Sequence, residues 1–267
     1  MDRFGLDMQS AFGMPPVAYV RLAARLGCGH VTTALTPLPW NPCGFPTWSL
    51  RDDPNLRREV MAAMADGDVI LSVLAGFSIK AQVDVRDLAP DMDLAAALGV
   101  RMLGTVGMEP DIPRAHDQLA FLTQMASERG MQVVLDYAPH HPIRTLEAAL
   151  AALRHVAKPQ ARLSLDAMHF FRTGGVASDL AALDPQLIGY AQVCDVPRVA
   201  PHADYAREAT FERLIPGEGE LPLADFVAAL PHDVLIGVEV PSLAEVEARR
   251  SLDAFLARAV QASRALL

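Results

Sequence analysis

Leu163-Ser164-Leu165-Asp166-Ala167-Met168-His169, running on to Phe170-Phe171-Arg172-Thr173-Gly174-Gly175, decides the fold. Leu163 to Leu165 is a short apolar run of the kind that fills a buried parallel strand. It ends in an acid, with a histidine three residues on and a Gly-Gly pair behind. In barrels and open α/β sheets the chemistry gathers at the C-terminal ends of strands, so Asp166 is a candidate functional group. An Asp after a strand is equally a candidate helix N-cap or turn former.

Working outward, the same unit recurs. Apolar runs at 4–8, 29–33, 69–74, 100–105, 131–136, 162–166, 188–193 and 234–240 read as strands. Helical spacing fills 15–26, 55–65, 91–98, 112–129, 143–157, 179–183, 223–230 and 243–267. Strands alternating with helices predict an α/β fold with a parallel sheet. Eight such units in 267 residues fit a closed (β/α)8 TIM barrel, read as one domain over 1–267. The long segment 34–53 carries Pro37, Pro39, Pro42 and Pro46 with both tryptophans, Trp40 and Trp48. Its aromatic content favours an ordered lid over disorder, and a loop packed on its own surface is the plainer alternative.

Lys and Arg number 23 against 32 Asp and Glu, a formal charge of −9. That balance argues against the basic stripe a nucleic-acid surface needs, while leaving room for a small anionic substrate held by local arginines. Cys28, Cys43 and Cys194 form no CxxC pair, and their odd number argues against a disulfide framework. A cytoplasmic protein fits. The N-terminus has no apolar run of signal-peptide type, and no stretch approaches the roughly 20 apolar residues of a membrane span. The long final helix is a candidate contact surface for a homo-oligomer.

Acids stand at the ends of the late strands. The fifth ends in Asp136 and the sixth in Asp166. The seventh carries Gln192, with Asp195 just after, and the eighth carries Glu239. Gathering buried carboxylates is unfavourable without positive compensation. Lysines are scarce, since only Lys80 and Lys158 occur, so a divalent cation held by Asp136, Asp166, Gln192 and Glu239 is the simplest compensator. An all-oxygen set suits Mn²⁺ or Mg²⁺, with Co²⁺ as a further option. Zn²⁺, which more often takes His or Cys, suits it less. For each acid alone, an N-cap or a strand-end ion pair is the alternative.

These residues also carry a resemblance. Asp166-Ala167-Met168-His169 with Arg172-Thr173-Gly174-Gly175 resembles the Asp-x-x-His motif of the sugar phosphate isomerase/epimerase superfamily, the xylose isomerase-like TIM barrels. That superfamily includes ketose 3-epimerases, inosose dehydratases and 3-dehydroshikimate dehydratases, with the endonuclease IV repair enzymes more distant. Ile188 to Asp195 resembles its seventh strand, and Gly237-Val238-Glu239-Val240 its last metal-bearing strand. Arg213-Leu214-Ile215-Pro216-Gly217-Glu218-Gly219 resembles its Arg-x-x-Pro-Gly-x-Gly loop, and Trp48 to Pro54 a segment of bacterial members. The resemblance spans nearly the whole chain. Two positions depart from it: Asp136 stands where the family usually has Glu, and Gln192 where many relatives have His.

The resemblance implies metal-assisted proton abstraction next to a carbonyl, as in an isomerase or epimerase of a sugar-like or polyol ketone working through an enediolate. Glu239 is the expected general base, and Asp136 the group that returns the proton in an epimerase. A dehydratase of a cyclic keto-polyol or keto acid would share the first step, with His169 as acid. A barrel retained as a binding protein with a degraded site is the non-catalytic alternative. His169, Arg213, Trp40 and Trp48 are the expected substrate contacts. Against these stand a structural role for His169, an Arg213 ion pair to Glu212 or Glu218, and a local loop core of Trp40, Phe45 and Trp48. His140-His141 reads as exposed loop histidines sooner than a second metal site.

Overall fold

Eight parallel strands close on themselves in the computed structural model, which describes residues 3–267. Met1 and Asp2, part of the N-terminal segment read above for a leader, lie outside it. The strands are β1 (Phe4–Leu6), β2 (His30–Ala34), β3 (Ile70–Ala75), β4 (Met102–Met108), β5 (Gln132–Asp136), β6 (Ala161–Asp166), β7 (Ile188–Val193) and β8 (Leu235–Val238). Each pairs with the next, and β8 pairs back onto β1, so the ring has no open edge. A two-residue strand, Ile79–Lys80, adds to the end of β4. This is the (β/α)8 TIM barrel that the alternating pattern predicts.

The helices that cover the barrel are α1 (Pro16–Arg25), α2 (Pro54–Gly67), α3 (Ala89–Ala97), α4 (Ile112–Ser127), α5 (Leu146–Val156), α6 (Ala167–Arg172), α7 (Ala177–Ala181), α8 (Tyr205–Phe211), α9 (Leu223–Ala229), α10 (Leu243–Glu247) and α11 (Leu252–Arg264). Local chemistry sets their starts. Asp53 caps α2 by accepting from the N–H groups of Asn55 and Leu56, and Thr145 caps α5 through Ala148. The final helix departs from expectation. It breaks into α10 and α11 at Arg249, whose φ is +52°, and Ser251 recaps the chain by accepting from the N–H of Ala254. The apolar face of α11, with Phe255, Leu256, Ala259 and Val260, is buried in the barrel's own core.

Two layers of apolar residues position the site. The larger lies between strands and helices. A small inner plug of Val73, Met102, Val134 and Tyr190 fills the barrel's middle. Gly237 permits it, because a Cβ there would stand 2.2 Å from the Tyr190 hydroxyl. The segment 35–53 holds no helix or strand, yet it is tied down: Leu50 is fully buried, its N–H donates to Leu35 O at 2.7 Å, and Trp48 Nε1 donates to Gly13 O at 3.0 Å. No helix among the described residues is long and apolar enough to cross a membrane.

Candidate active site

Side chains alternate along a strand, so a residue two positions from an inward one also points inward. Asp166 pairs in register with Gln192, and Gln192 with Gly237, two residues before Glu239. That register brings the late strand ends to one side of a 310 Å³ cavity. Asp136, Gln192 and Glu239 line it, with Asp7 beside them. The opposite wall is largely apolar and includes Leu38, Trp40, Val73 and Ala75. The volume is at the lower end of the range of small-molecule sites.

Asp166 takes up both of the structural alternatives, helix N-cap and ion pair. Its Oδ1 caps α6 by accepting from the His169 N–H at 2.8 Å, while Oδ2 accepts from Arg213 Nη1. The same Nη1 donates to Glu239 Oε2 at 3.0 Å. Arg213 and Glu239 side chains are each 2% exposed and Asp166 is sealed from solvent. Glu239 Oε2 also accepts from Gln192 Nε2 at 2.9 Å, and its Oε1 from Gln9 Nε2 at 2.5 Å. Ser164 Oγ donates to Gln192 Oε1 at 3.1 Å. Neither sequence-stated partner of Arg213 is used: Glu212 pairs with Arg207 at 2.6 Å and Glu218 with Arg258 at 3.0 Å. Arg213 is not among the residues that line the cavity.

The loop that aims Arg213 is built on one carboxylate. Asp195 Oδ1 accepts from the N–H of Val196 and of Leu221, and Oδ2 from the N–H of Gly217. Asp195 and Leu214 also exchange both backbone hydrogen bonds. Gly219 is required there, since a Cβ would fall 2.4 Å from Asp195 Oδ1. The Pro-Gly-Glu-Gly segment is thus a wrap around Asp195. Arg213 is held in turn through its Nε to Ala209 O at 2.7 Å and its N–H to Pro241 O at 3.1 Å.

His169 sits at the edge of the acids. Its Nδ1 lies 2.5 Å from the Tyr205 hydroxyl and 3.3 Å from Asp166 Oδ1, and its Nε2 lies 3.9 Å from Asp136 Oδ2. Tyr205 escapes sequence reading because α8 places it. A buried pair, Arg172 to Glu208 at 2.6 Å, pins α8 under α6. Asp7 was also missed, although it ends an apolar run as Asp136 and Asp166 do. It accepts from Thr32 Oγ1 at 3.0 Å and from Gln192 Nε2 at 3.2 Å. Trp40 lines the cavity, and its buried indole N–H has no hydrogen-bond partner. Trp48 does not line it and serves as the loop's anchor on Gly13. His140 is exposed, with its ring 5.4 Å from that of Tyr205.

Burial and charge set the proton affinities. Burial pushes Glu239 well above its ordinary value, against the pull of Arg213. Burial and then the neighbouring Asp166 do the same to Asp136, and burial raises Asp7. Burial would raise Asp166 as well, but Arg213 and His169 hold it below the usual carboxylate range. Burial lowers His169 to about 4, so it is neutral near pH 7.

A divalent cation fits the donor chemistry. Asp166 and Glu239 share one buried guanidinium, while Asp7 and Asp136 beside them have no ion pair to it and Asp136 Oδ1 is buried with no hydrogen-bond partner. Yet among the described residues no three His, Cys, Asp or Glu side chains surround a common point, and Arg213 stands between Asp166 and Glu239.

A strand-end acid set above a plugged (β/α)8 barrel defines a class. The xylose isomerase-like TIM barrel family matches residues 20–259, and the chain belongs to it. Among solved structures it is similar to the IolI protein with a bound zinc atom (TM-score 0.78, 16% identity, 98% of this chain and 95% of that one). It is also similar to the probable 3-DHS dehydratase AsbF of Bacillus anthracis (TM-score 0.76, 13% identity, 98% of each chain). A third similar structure is D-allulose 3-epimerase from Methylomonas sp. in complex with D-allulose (TM-score 0.70, 18% identity, 99% and 96%). At these identities the likeness is one of fold. Among curated protein sequences, none matches the chain.

Proposed function

We propose that this protein is a divalent-metal-dependent isomerase or epimerase of a sugar-like or polyol ketone, working by proton abstraction next to the carbonyl and an enediolate. The observation that carries this is the convergence of Asp136, Gln192 and Glu239 from the ends of β5, β7 and β8 onto one cavity wall, with Asp136 Oδ1 left without a partner. Asp136, Asp166, Gln192 and Glu239 would hold the cation, with Mn²⁺ or Mg²⁺ best suited to an all-oxygen set. When bound, it supplies Lewis-acid stabilisation of negative charge on the substrate oxygens.

This chain's residues do the rest. Glu239 takes the proton, and its burial makes it a strong base once ionised. Gln9 and Gln192 donate to its two oxygens and fix the carboxylate plane. Asp136 returns the proton in the epimerase case. Its arm is shorter than a Glu by one C–C bond, which favours a substrate seated close to β5. Trp40 and Leu38 exclude water from the opposite side. The relatives that act on D-allulose or serve as a 3-DHS dehydratase support this class of small hydroxylated ketone.

A second reading, dehydration, is favoured by His169. In the tautomer where Tyr205 donates to Nδ1, the neutral imidazole carries its proton on Nε2, the nitrogen 3.9 Å from Asp136 Oδ2. That proton suits a departing β-hydroxyl. The test is a screen of keto-sugars, inososes and cyclic keto acids with Mn²⁺, read by product mass and NMR. A product of unchanged mass supports isomerisation or epimerisation, loss of water supports the second reading, and no turnover on any of them contradicts both.

A further inference from the structure

Arg213 already supplies a cation where the proposed metal donors meet. One nitrogen, Nη1, bonds both Asp166 and Glu239, and all three side chains are almost sealed from solvent. Gln192 meanwhile turns an amide N–H, not its oxygen, toward Glu239, and Asp136 is left with an orphaned oxygen. Each feature is what a donor set looks like when a side-chain cation serves two of its members and leaves the others over.

The guanidinium also has somewhere to go. Arg213 also borders a second cavity of 240 Å³, lined with it by Arg207, Glu212, Ser242, Leu243 and Glu247. Glu212 there is already paired with Arg207 and His202, so Glu247 is the acid left to receive a withdrawn guanidinium.

We propose that Arg213 is a positioning residue and a tethered stand-in for the divalent cation. It holds Asp166 and Glu239 in register without metal, and it withdraws toward the cavity beside Glu247 when metal binds. This inference rests on the metal-dependent reading above. It differs from a merely structural ion pair in the sign of one effect. If Arg213 only braces the carboxylates, removing it weakens metal binding. If it competes with the metal, removing it tightens binding, because a buried like charge leaves the site.

The experiment is Mn²⁺ titration by calorimetry of the full chain as wild type, Arg213→Met and Arg213→Lys. Melting temperatures are taken with and without Mn²⁺. We expect Arg213→Met to bind Mn²⁺ roughly tenfold tighter or more than wild type, by loss of the competing charge. Arg213→Lys, which keeps a charge that cannot bridge as a planar fork, falls between and guards against misfolding of the Met variant. Without metal both variants melt below wild type, and Mn²⁺ raises their melting temperature by more. Mn²⁺ binding that is unchanged or weaker in both variants, with one ion per wild-type chain, overturns this inference and leaves the proposed function standing. No Mn²⁺ binding by any of the three overturns both.

Discussion

The two halves of the barrel mouth are built from different materials. At the ends of β5 to β8 stand Asp136, Asp166, Gln192 and Glu239, joined by Arg213 and Asp195. Facing them, the ends of β2 to β4 and the 35–53 segment present mainly small or apolar groups, among them Leu38, Trp40, Ala75 and Gly104. Charge is concentrated on one side and shape on the other. Such a division lets the acidic half fix the reaction step while the apolar half selects what reaches it. Specificity in this architecture lies on the strand-to-helix loops, and here the longest of them carries Trp40.

The largest effect that would sharpen this contrast is on the acidic side. Glu239→Gln should lower turnover by about 10²–10⁴-fold, the usual contribution of a general base, on whichever ketone the screen identifies. Steady-state kinetics would check it, and a loss below tenfold would move the base elsewhere. Gly219→Ala tests the scaffold behind the acids. A methyl at 2.4 Å from Asp195 Oδ1 must displace the loop, with an expected loss of about 1–3 kcal/mol in a denaturant melt. Equal stability would show that the wrap around Asp195 is dispensable.

On the apolar side, Trp40→Ala should reduce kcat/KM roughly tenfold, as for the loss of one aromatic contact, while leaving Mn²⁺ stoichiometry unchanged. A change in metal content on that substitution would break the division between the halves.

The smallest effect is a pH trend in metal-free stability. Glu239 and Asp136 are raised above their ordinary values, chiefly by burial. The unfolded chain loses those protons first, so their contribution is full below the ordinary carboxylate range and declines as pH rises through the raised values. Asp166 acts oppositely. Arg213 holds it low despite burial, so its contribution is present above the ordinary value and is lost as pH falls through the lowered one. Chemical melts across pH should show a metal-free optimum on the acidic side of neutral.

Much of this was legible because strand ends announce themselves. Asp136, Asp166 and Glu239 each interrupt an apolar run, and parallel register gathers them at one end of the barrel. Asp7 carries the same signal at the end of β1 and could have been found by it. The partners of Arg213 were not legible. They lie 47 and 26 residues away, and the aim of the side chain depends on a loop folded around Asp195. Tyr205 was hidden for a like reason, since its place depends on the buried Arg172–Glu208 pair. Trp40 and Trp48 look equivalent in the sequence, and only the hydrogen bond to Gly13 separates the anchor from the cavity residue. The break before α11 falls at Arg249, without a Gly or Pro to mark it.

The measurement that tests the central claim most directly is metal content by elemental analysis after dialysis against Mn²⁺, on wild type, Glu239→Gln and Asp166→Asn. The claim requires one equivalent in the wild type, lost in both variants while their circular dichroism stays that of a folded barrel. A wild type that holds no metal would contradict the metal-dependent mechanism and leave a barrel-shaped binding protein in its place.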